Sequence, residues 1–259
     1  MYFSDIICLA QEICVELPFI EWKNSPLAEN TPDEYKAILL VLNPLLTDVL
    51  SLDKTSLRKI AQRKRSVSID LCYDVSESLP EEEIISWVKH FPERKKPFEI
   101  RSFTRTRCET RFFCCKEILH VFCGNVTDEP STVAVLEKCC QSWRCNIHKD
   151  AELDIETAGI YLAMEVMLSW LHREKQITQL RYAAEVYNVD FKALVAHAYK
   201  IPHWVVNHFF DCDVYIPEPF PPINDDGTVK TELDMPYYNF SCRKNYQQER
   251  ETAEAAAEK

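Results

Sequence analysis

The sequence predicts a mainly α protein: a C-terminal helical bundle preceded by an extended arm that carries one helix and one isolated β-strand. Three observations predict it. The 259 residues include only 3 Gly, too few for the tight turns and phosphate cradles of a glycine-rich α/β enzyme or β-sandwich. From Arg111 onward, apolar residues recur at helical spacing between short breaks. The clearest period-two stretch, 66–71, has no hairpin turn and second strand beside it. A hydrophobic content of 46% supports a folded core.

The elements follow in order. Ile6 to Leu9 and Ile13 to Ile20 form an apolar patch that ends at Trp22 and the breaker Ser25-Pro26, an extended or partly helical arm. Thr31 is an N-cap, Pro32 takes the first helical position, and Glu34 completes a capping box. Tyr35, Ile38, Leu39 and Leu42 then repeat at i, i+3, i+4, i+7, and Asn43-Pro44 ends this helix 31–42. Leu45 to Leu52 is apolar and fits either helix or strand. Residues 53–71 carry six basic side chains against Asp53 and Asp70. Val67, Ile69 and Leu71 alternate with Ser66, Ser68 and Asp70, a strand with one apolar face. Its hydrogen bonds go either to another protein's sheet edge or to a segment of this chain such as Glu99 to Phe103.

Pro80 to Phe91 reads as a helix, with Ile84, Ile85, Val88 and Phe91 on one side and Trp87 beside them. Residues 94–116 hold eight basic side chains against Glu99 and Glu109, interleaved with Phe98, Phe103, Phe112 and Phe113. Bundle helices are predicted over 111–122, 131–144, 154–172, 176–187, 190–199 and 202–211, with short loops that make neighbours antiparallel. The stripe Ile160, Met164, Met167, Leu168 and Leu171 marks the third of these. Ile216 to Pro222 is a Pro-rich break, Asn224 to Gly227 a turn, and the rest a polar tail. The chain thus divides into an arm (1–75), a helix and basic linker (76–110), a helical domain (111–215) and a flexible tail (216–259).

The chemistry-bearing residues point away from catalysis. Cys139, Cys140, Cys145 and His148, with Cys114, Cys115 and Cys123, form the one metal-like group. Cys139 and Cys140 sit about 100° apart on a helix and do not easily face one ion. Cys212 near His208 has the spacing of a thiol and its base, as do many chance pairs among 12 Cys and 7 His. Neither a cofactor nor a metal is expected, and the chain reads as non-enzymatic. No basic n-region precedes the first apolar segment and no apolar run approaches about 18 residues, so the cysteines are expected to be reduced in a soluble, intracellular protein with no membrane partner.

The net charge is -11, and residues 117–259 hold 13 Lys+Arg against 23 Asp+Glu. That acidic half suits basic protein partners. The basic stretches 53–65 and 94–116 suit an alternative, an RNA-binding factor.

Thr31-Pro32-Asp33-Glu34-Tyr35 followed by Lys64-Arg65-Ser66-Val67-Ser68-Ile69-Asp70-Leu71 resembles the T-P-x-E-Y helix start and K-x-S-V-x-I-x-L strand of the Gemin two family, the SMN-interacting proteins of spliceosomal snRNP assembly. The stretch around Trp87 resembles a W-rich helix of that family. Ser131 to Glu137 with Ser142-Trp143, Ile160 to Ala163 with Leu180-Arg181, and Val205 to Asp211 resemble its later helices, so the likeness covers roughly residues 13–215. Residues 216–259 extend past the family's usual end, and the arm before Thr31 is short.

The resemblance implies a two-part adaptor of the SMN complex, cytoplasmic and nuclear, that meets RNA only indirectly. The arm would run along an open pentamer of Sm proteins and use Tyr35, Ile38, Leu39, Leu42, Val67, Ile69, Leu71 and Trp87. The helical domain would grip the D-type Sm proteins and receive an N-terminal helix of SMN. A groove lined by Trp143, Met164, Met167 and Trp170 fits that helix, and the same four residues fit an ordinary bundle core.

Overall fold

The computed structural model describes residues 3–14, 16–17, 19–21, 31–42, 45–47, 57–124, 130–146, 153–168 and 170–211. The breaker at 25–26 and the tail at 216–259 lie outside the described residues. Nine helices and six strands follow one another among those described: α1 (Phe3–Cys14), β1 (Phe19–Glu21), α2 (Asp33–Leu42), β2 (Leu45–Thr47), α3 (Leu57–Arg65), β3 (Ile69–Val75), β4 (Ile85–His90), β5 (Phe98–Thr104), α4 (Arg107–Cys123), β6 (Ser131–Thr132), α5 (Val133–Asn146), α6 (Ile155–Met167), α7 (Trp170–Tyr187), α8 (Phe191–Tyr199) and α9 (His203–Asp211).

The mainly α prediction is corrected here. Four strands form a mixed sheet in the order β3-β5-β4-β6. β3 runs parallel to β5, from Ile69 opposite Phe98 to Val75 opposite Thr104. β4 is antiparallel to β5 and to β6. The strand predicted as isolated therefore pairs inside its own chain, with the Glu99 to Phe103 segment that the sequence offered as the alternative. Its regular part also starts later, at Ile69 rather than Ser66, because Ser66 takes a left-handed φ of 54° that breaks the strand.

The predicted helix at 80–91 is the second correction. Only Glu81–Glu83 is helical, a single 3-10 turn, and Ile85–His90 is strand. Ile84, Ile85, Val88 and Phe91 satisfy a helical period, but Ile84, Ser86 and Val88 also satisfy a period of two and are the buried positions. β-branched residues fit the pleated surface, and pairing with β5 decides between the two periods. Pro92 and Pro97 flank the connecting turn, which the Phe91 amide closes by donating to the Pro97 carbonyl at 2.6 Å. Ser and Pro supply turns here, so scarcity of glycine does not exclude a sheet.

α4 is the centre of the molecule. Thr106 and Glu109 close a capping box at its start, with the Glu109 amide donating to Thr106 Oγ1 at 3.1 Å and the Thr106 amide donating to Glu109 Oε2 at 3.0 Å. Gly124 ends it at φ 71°, a left-handed cap that glycine adopts without strain. Every residue from Glu109 to Phe122 is buried, as expected of a helix covered on all sides. One side of α4 lies on β5, β4 and β3, and the other packs on α6.

The arm is also part of this core. α1 packs on α6 with Ile6, Ala10, Ile13 and Cys14 fully buried. The boundary predicted between 75 and 76 falls between two strands of one sheet. Helices predicted at 154–172 and 176–187 divide instead at 155–167 and 170–187. Those at 190–199 and 202–211 start within a residue or two of prediction because Asp190 caps one, accepting from the Lys192 and Ala193 amides, and Pro202 precedes the other.

Candidate functional site

The residues predicted to bind partners fall mostly into the core. On α2, Ile38 and Leu39 are buried, Leu42 packs against the core, and the Tyr35 ring lies 4.8 Å from that of His197. Partial burial and the nearby Glu34 and Asp190 raise the Tyr35 phenol above its ordinary pKa. The exposed residues of this helix are Asp33, Glu34, Ala37, Leu40 and Val41, on the opposite side from the predicted stripe. The stripe packs on α7 and α8 of the same chain instead of a partner groove.

On the third segment, Val67 and Leu71 pack against the core and Ile69 is buried. Trp87 stands on β4, its ring stacked on Phe103 at 5.8 Å. Of the predicted SMN groove, Met164 and Met167 are fully buried in α6. Trp143 belongs to α5 and Trp170 to α7, and their side chains lie outside the described residues, as do Cys212, Cys145 and His148. Burial pushes the Cys115 thiol up to about 12 and the Cys123 thiol up to about 11, away from the thiolate that metal binding needs.

The sheet leaves one edge open. β3 is the outermost strand on its side, and among the described residues its second edge has no strand against it. Cys72, Tyr73, Asp74 and Val75 are exposed along it, Tyr73 to 60%. An exposed edge presents a row of backbone donors and acceptors ready for another strand. Asp74 near the end of this strand and Glu77 in the turn that follows it are both exposed.

The sequence did not disclose a second constellation, buried where α4, α6, β4 and β6 meet. The Lys116 ammonium has no exposure. It donates to Ser131 Oγ at 2.6 Å and Glu156 Oε2 at 2.8 Å, lies 3.0 Å from Glu117 Oε1, and meets His120 Nε2 at 3.1 Å. Ser131 Oγ donates to Glu156 Oε2 at 2.9 Å, and Ser86 Oγ donates to Glu117 Oε1 at 2.7 Å. Gly159 of α6 lets the His120 ring approach, since a Cβ there would lie 2.6 Å from it.

Electrostatics fixes the charge states. Burial disfavours the Lys116 ammonium, but Glu117 and Glu156 outweigh it and hold the amine above its ordinary pKa. Burial likewise opposes the Glu156 carboxylate, and Lys116 and His120 overcome it and lower its pKa. His120 is pushed down to about 4, first by burial and then by Lys116. A protonated lysine cannot serve as a base, and the Glu156 carboxylate to which Ser131 donates is made a weaker one by the Lys116 ammonium that lowers its pKa. The cluster ties two helices to two strands.

This geometry makes stability depend on acid. Unfolded, His120 binds a proton below about pH 6.5, whereas folded it stays neutral down to about 4. Folding then excludes a proton that the unfolded chain binds, so stability falls as pH drops through that window, on the order of 3 kcal/mol by its lower end. Glu156 acts lower: its stabilisation is present above the ordinary carboxylate range and is lost as pH falls through its depressed folded value. Melting temperature measured from pH 7 to 4 is expected to decline, with His120→Gln removing most of the decline above pH 5. An equally steep decline in that variant would assign the effect elsewhere.

No protein family matches the chain, and no curated protein or solved structure matches it either.

Proposed function

We propose that this chain is a non-enzymatic adaptor that binds a basic protein partner by taking an extended segment onto the open edge of β3. The observation that carries the reading is that edge, seven residues long, exposed toward its end and flanked there by Asp74 and Glu77. Strand addition draws affinity from the main chain and selectivity from neighbouring side chains. The acidic rim favours a partner whose strand is flanked by Lys or Arg.

The specific form of this reading is an assembly factor of the SMN complex that engages the Sm pentamer, including its D-type members, and an N-terminal helix of SMN. The supporting features are the motif order at 31–35 and 64–71 and the acidic C-terminal half. In this form Ile69 supports the docking strand from beneath, Ile38 and Leu39 hold α2 to α7 and α8 instead of touching the partner, and Tyr73, Asp74 and Val75 touch it.

The basic stretches favour RNA less than their count suggests. Arg94 and Arg101 pair with Glu99, Lys96 with Asp70, and Arg63 and Lys64 with Glu16. Arg111 and Lys116 are buried. Among the described residues of 53–65 and 94–116, Arg58, Lys59, Arg65, Lys95 and Arg107 are the cations left to neutralise phosphates.

The test is capture of an Sm pentamer, and separately of an SMN N-terminal peptide, by the full chain at low and high salt. Pentamer capture that persists in high salt is expected, because the main-chain bonds are little screened. Asp74→Lys with Glu77→Lys is expected to weaken it at least about tenfold, as like charges oppose a basic strand, without changing the melting temperature. Capture of neither partner would overturn the specific form, and capture indifferent to the double substitution would overturn the edge.

A further inference from the structure

We propose that the outer face of the sheet is a stacking platform for single-stranded RNA. α4 covers the inner face, where Ile84, Ser86, Val88, Ile100, Ser102 and Thr104 are buried. The intervening positions turn the other way and are partly or fully exposed: Ile85, Trp87 and Lys89 on β4, and Glu99, Arg101 and Phe103 on β5. The antiparallel register sets Trp87 opposite Arg101, Ile85 opposite Phe103, and Lys89 opposite Glu99.

The side chains on this face form a flat aromatic pair bounded by charge. The Trp87 and Phe103 rings stack at 5.8 Å with 28° between their planes. Lys89 Nζ lies 5.9 Å from the Trp87 ring centre. The Arg101 guanidinium is held by Glu99 at 2.7 Å, on the same face. Aromatic faces on an open sheet take up nucleobases by stacking, typically two or three at a time, while flanking cations meet the phosphates. An apolar peptide would use the rings but leave Lys89 without an anion, whereas Arg101 already has Glu99.

Glu99 favours RNA over DNA. Its carboxylate is only 12% exposed and faces Arg94 and Arg101 at 2.7 Å each. A carboxylate has about four acceptor sites, so it retains capacity for a donor. A ribose 2′-hydroxyl is such a donor, and deoxyribose lacks it.

This goes beyond the adaptor reading, in which RNA is met through the Sm proteins. It also differs from binding along the basic stretches, because stacking rather than charge supplies the affinity. Lys89 on β4 and Lys95 in the β4–β5 turn make no ion pair among the described residues and are the cations assigned to the phosphates. Two phosphate contacts on a single strand give a salt slope of about -1.4, a loss of about sevenfold between 50 and 200 mM salt.

The experiment is fluorescence anisotropy of a labelled ten-nucleotide oligouridylate titrated with the full chain, beside the matching oligothymidylate and a labelled Pro-rich peptide. RNA binding is expected to exceed DNA binding and to follow the shallow salt slope. Phe103→Ala is expected to weaken it about 5- to 150-fold by loss of one stacking surface. Trp87→Phe, which keeps a ring, is expected to weaken it much less. Glu77→Lys alone, in the turn beyond β3, is expected not to weaken it, and Asp74, which stands opposite Phe103 in the register, is left unchanged in this control. The platform is overturned by absence of RNA binding, by peptide binding in its place, by a slope several times steeper, or by Phe103→Ala binding like the parent. Equal affinity for the DNA strand overturns the role of Glu99.

Discussion

Replacing Lys116 with alanine is expected to lower the stability of the folded chain by about 3–5 kcal/mol, the cost of leaving a buried charge network without its counter-ion. The ammonium is the hub of the cluster. Glu117, Glu156, Ser131 and His120 all lie within 3.1 Å of it. Without it, the two carboxylates face one another across a cavity with no cation between them, and Ser131 and His120 lose a donor. In a chain of this length the expected fall in melting temperature is roughly 10 °C. Converting the partners as well, in a Lys116→Met, Glu117→Gln, Glu156→Gln variant, is expected to recover much of the loss, since a neutral, packed replacement of a buried ion pair is often tolerated. Thermal unfolding followed by circular dichroism reads both. A Lys116→Ala chain that melts with the parent would show that solvent reaches the cluster and screens it.

Ile69→Pro is the second substitution of large expected effect, at least about 3 kcal/mol. It removes a buried side chain from the core; Ile69 opens the outermost strand, where a missing N–H is tolerated, so lost packing supplies the effect. Were the strand an isolated element of an arm, the same change would spare the melting of the helical body. Here β3 is bonded to β5 along its whole length, and β5 lies on α4. A denaturant titration is therefore expected to show one transition with a lower midpoint. An unshifted midpoint would detach the strand from the body.

The helices and the sheet were not equally legible in the sequence. Helices that begin with a strong local signal were placed well: Thr31-Pro32 before α2, Asp190 before α8 and Pro202 before α9. Their starts are set by a few neighbouring residues, which a sequence displays directly. The sheet depends on partners distant in the chain. Ile84 to Phe91 carries both a helical and a strand period, and pairing with β5 settles it, an interaction that local pattern does not contain. For the 66–71 strand the right partner was one of two alternatives, and nothing within the strand distinguished them.

The binding residues were less legible than the fold. An apolar stripe such as Tyr35, Ile38, Leu39 and Leu42 looks the same whether it faces a partner or its own core, and here it faces α7 and α8. The Lys116 cluster was hidden for the opposite reason. Lys116, Glu117 and His120 on a helix resemble a solvated charged face, and only the packing of α6 and β6 over them makes them interior. The i, i+4 spacing of Lys116 and His120 within a run of Phe, Cys, Ile and Leu was the available signal: charged residues inside an otherwise unbroken apolar helix need partners.

The seating of α1 has a consequence for how the chain is made. The Cys14 thiol lies 3.7 Å from the carbonyl oxygen of Glu165, 151 positions further on. During synthesis α1 is made well before α6 and α7, the helices that receive it. At about 5–20 residues per second, its apolar side waits roughly 8–30 s for a partner. Over that interval Ile6, Ala10 and Ile13 form an uncovered greasy face on a growing chain, a natural substrate for a ribosome-bound chaperone.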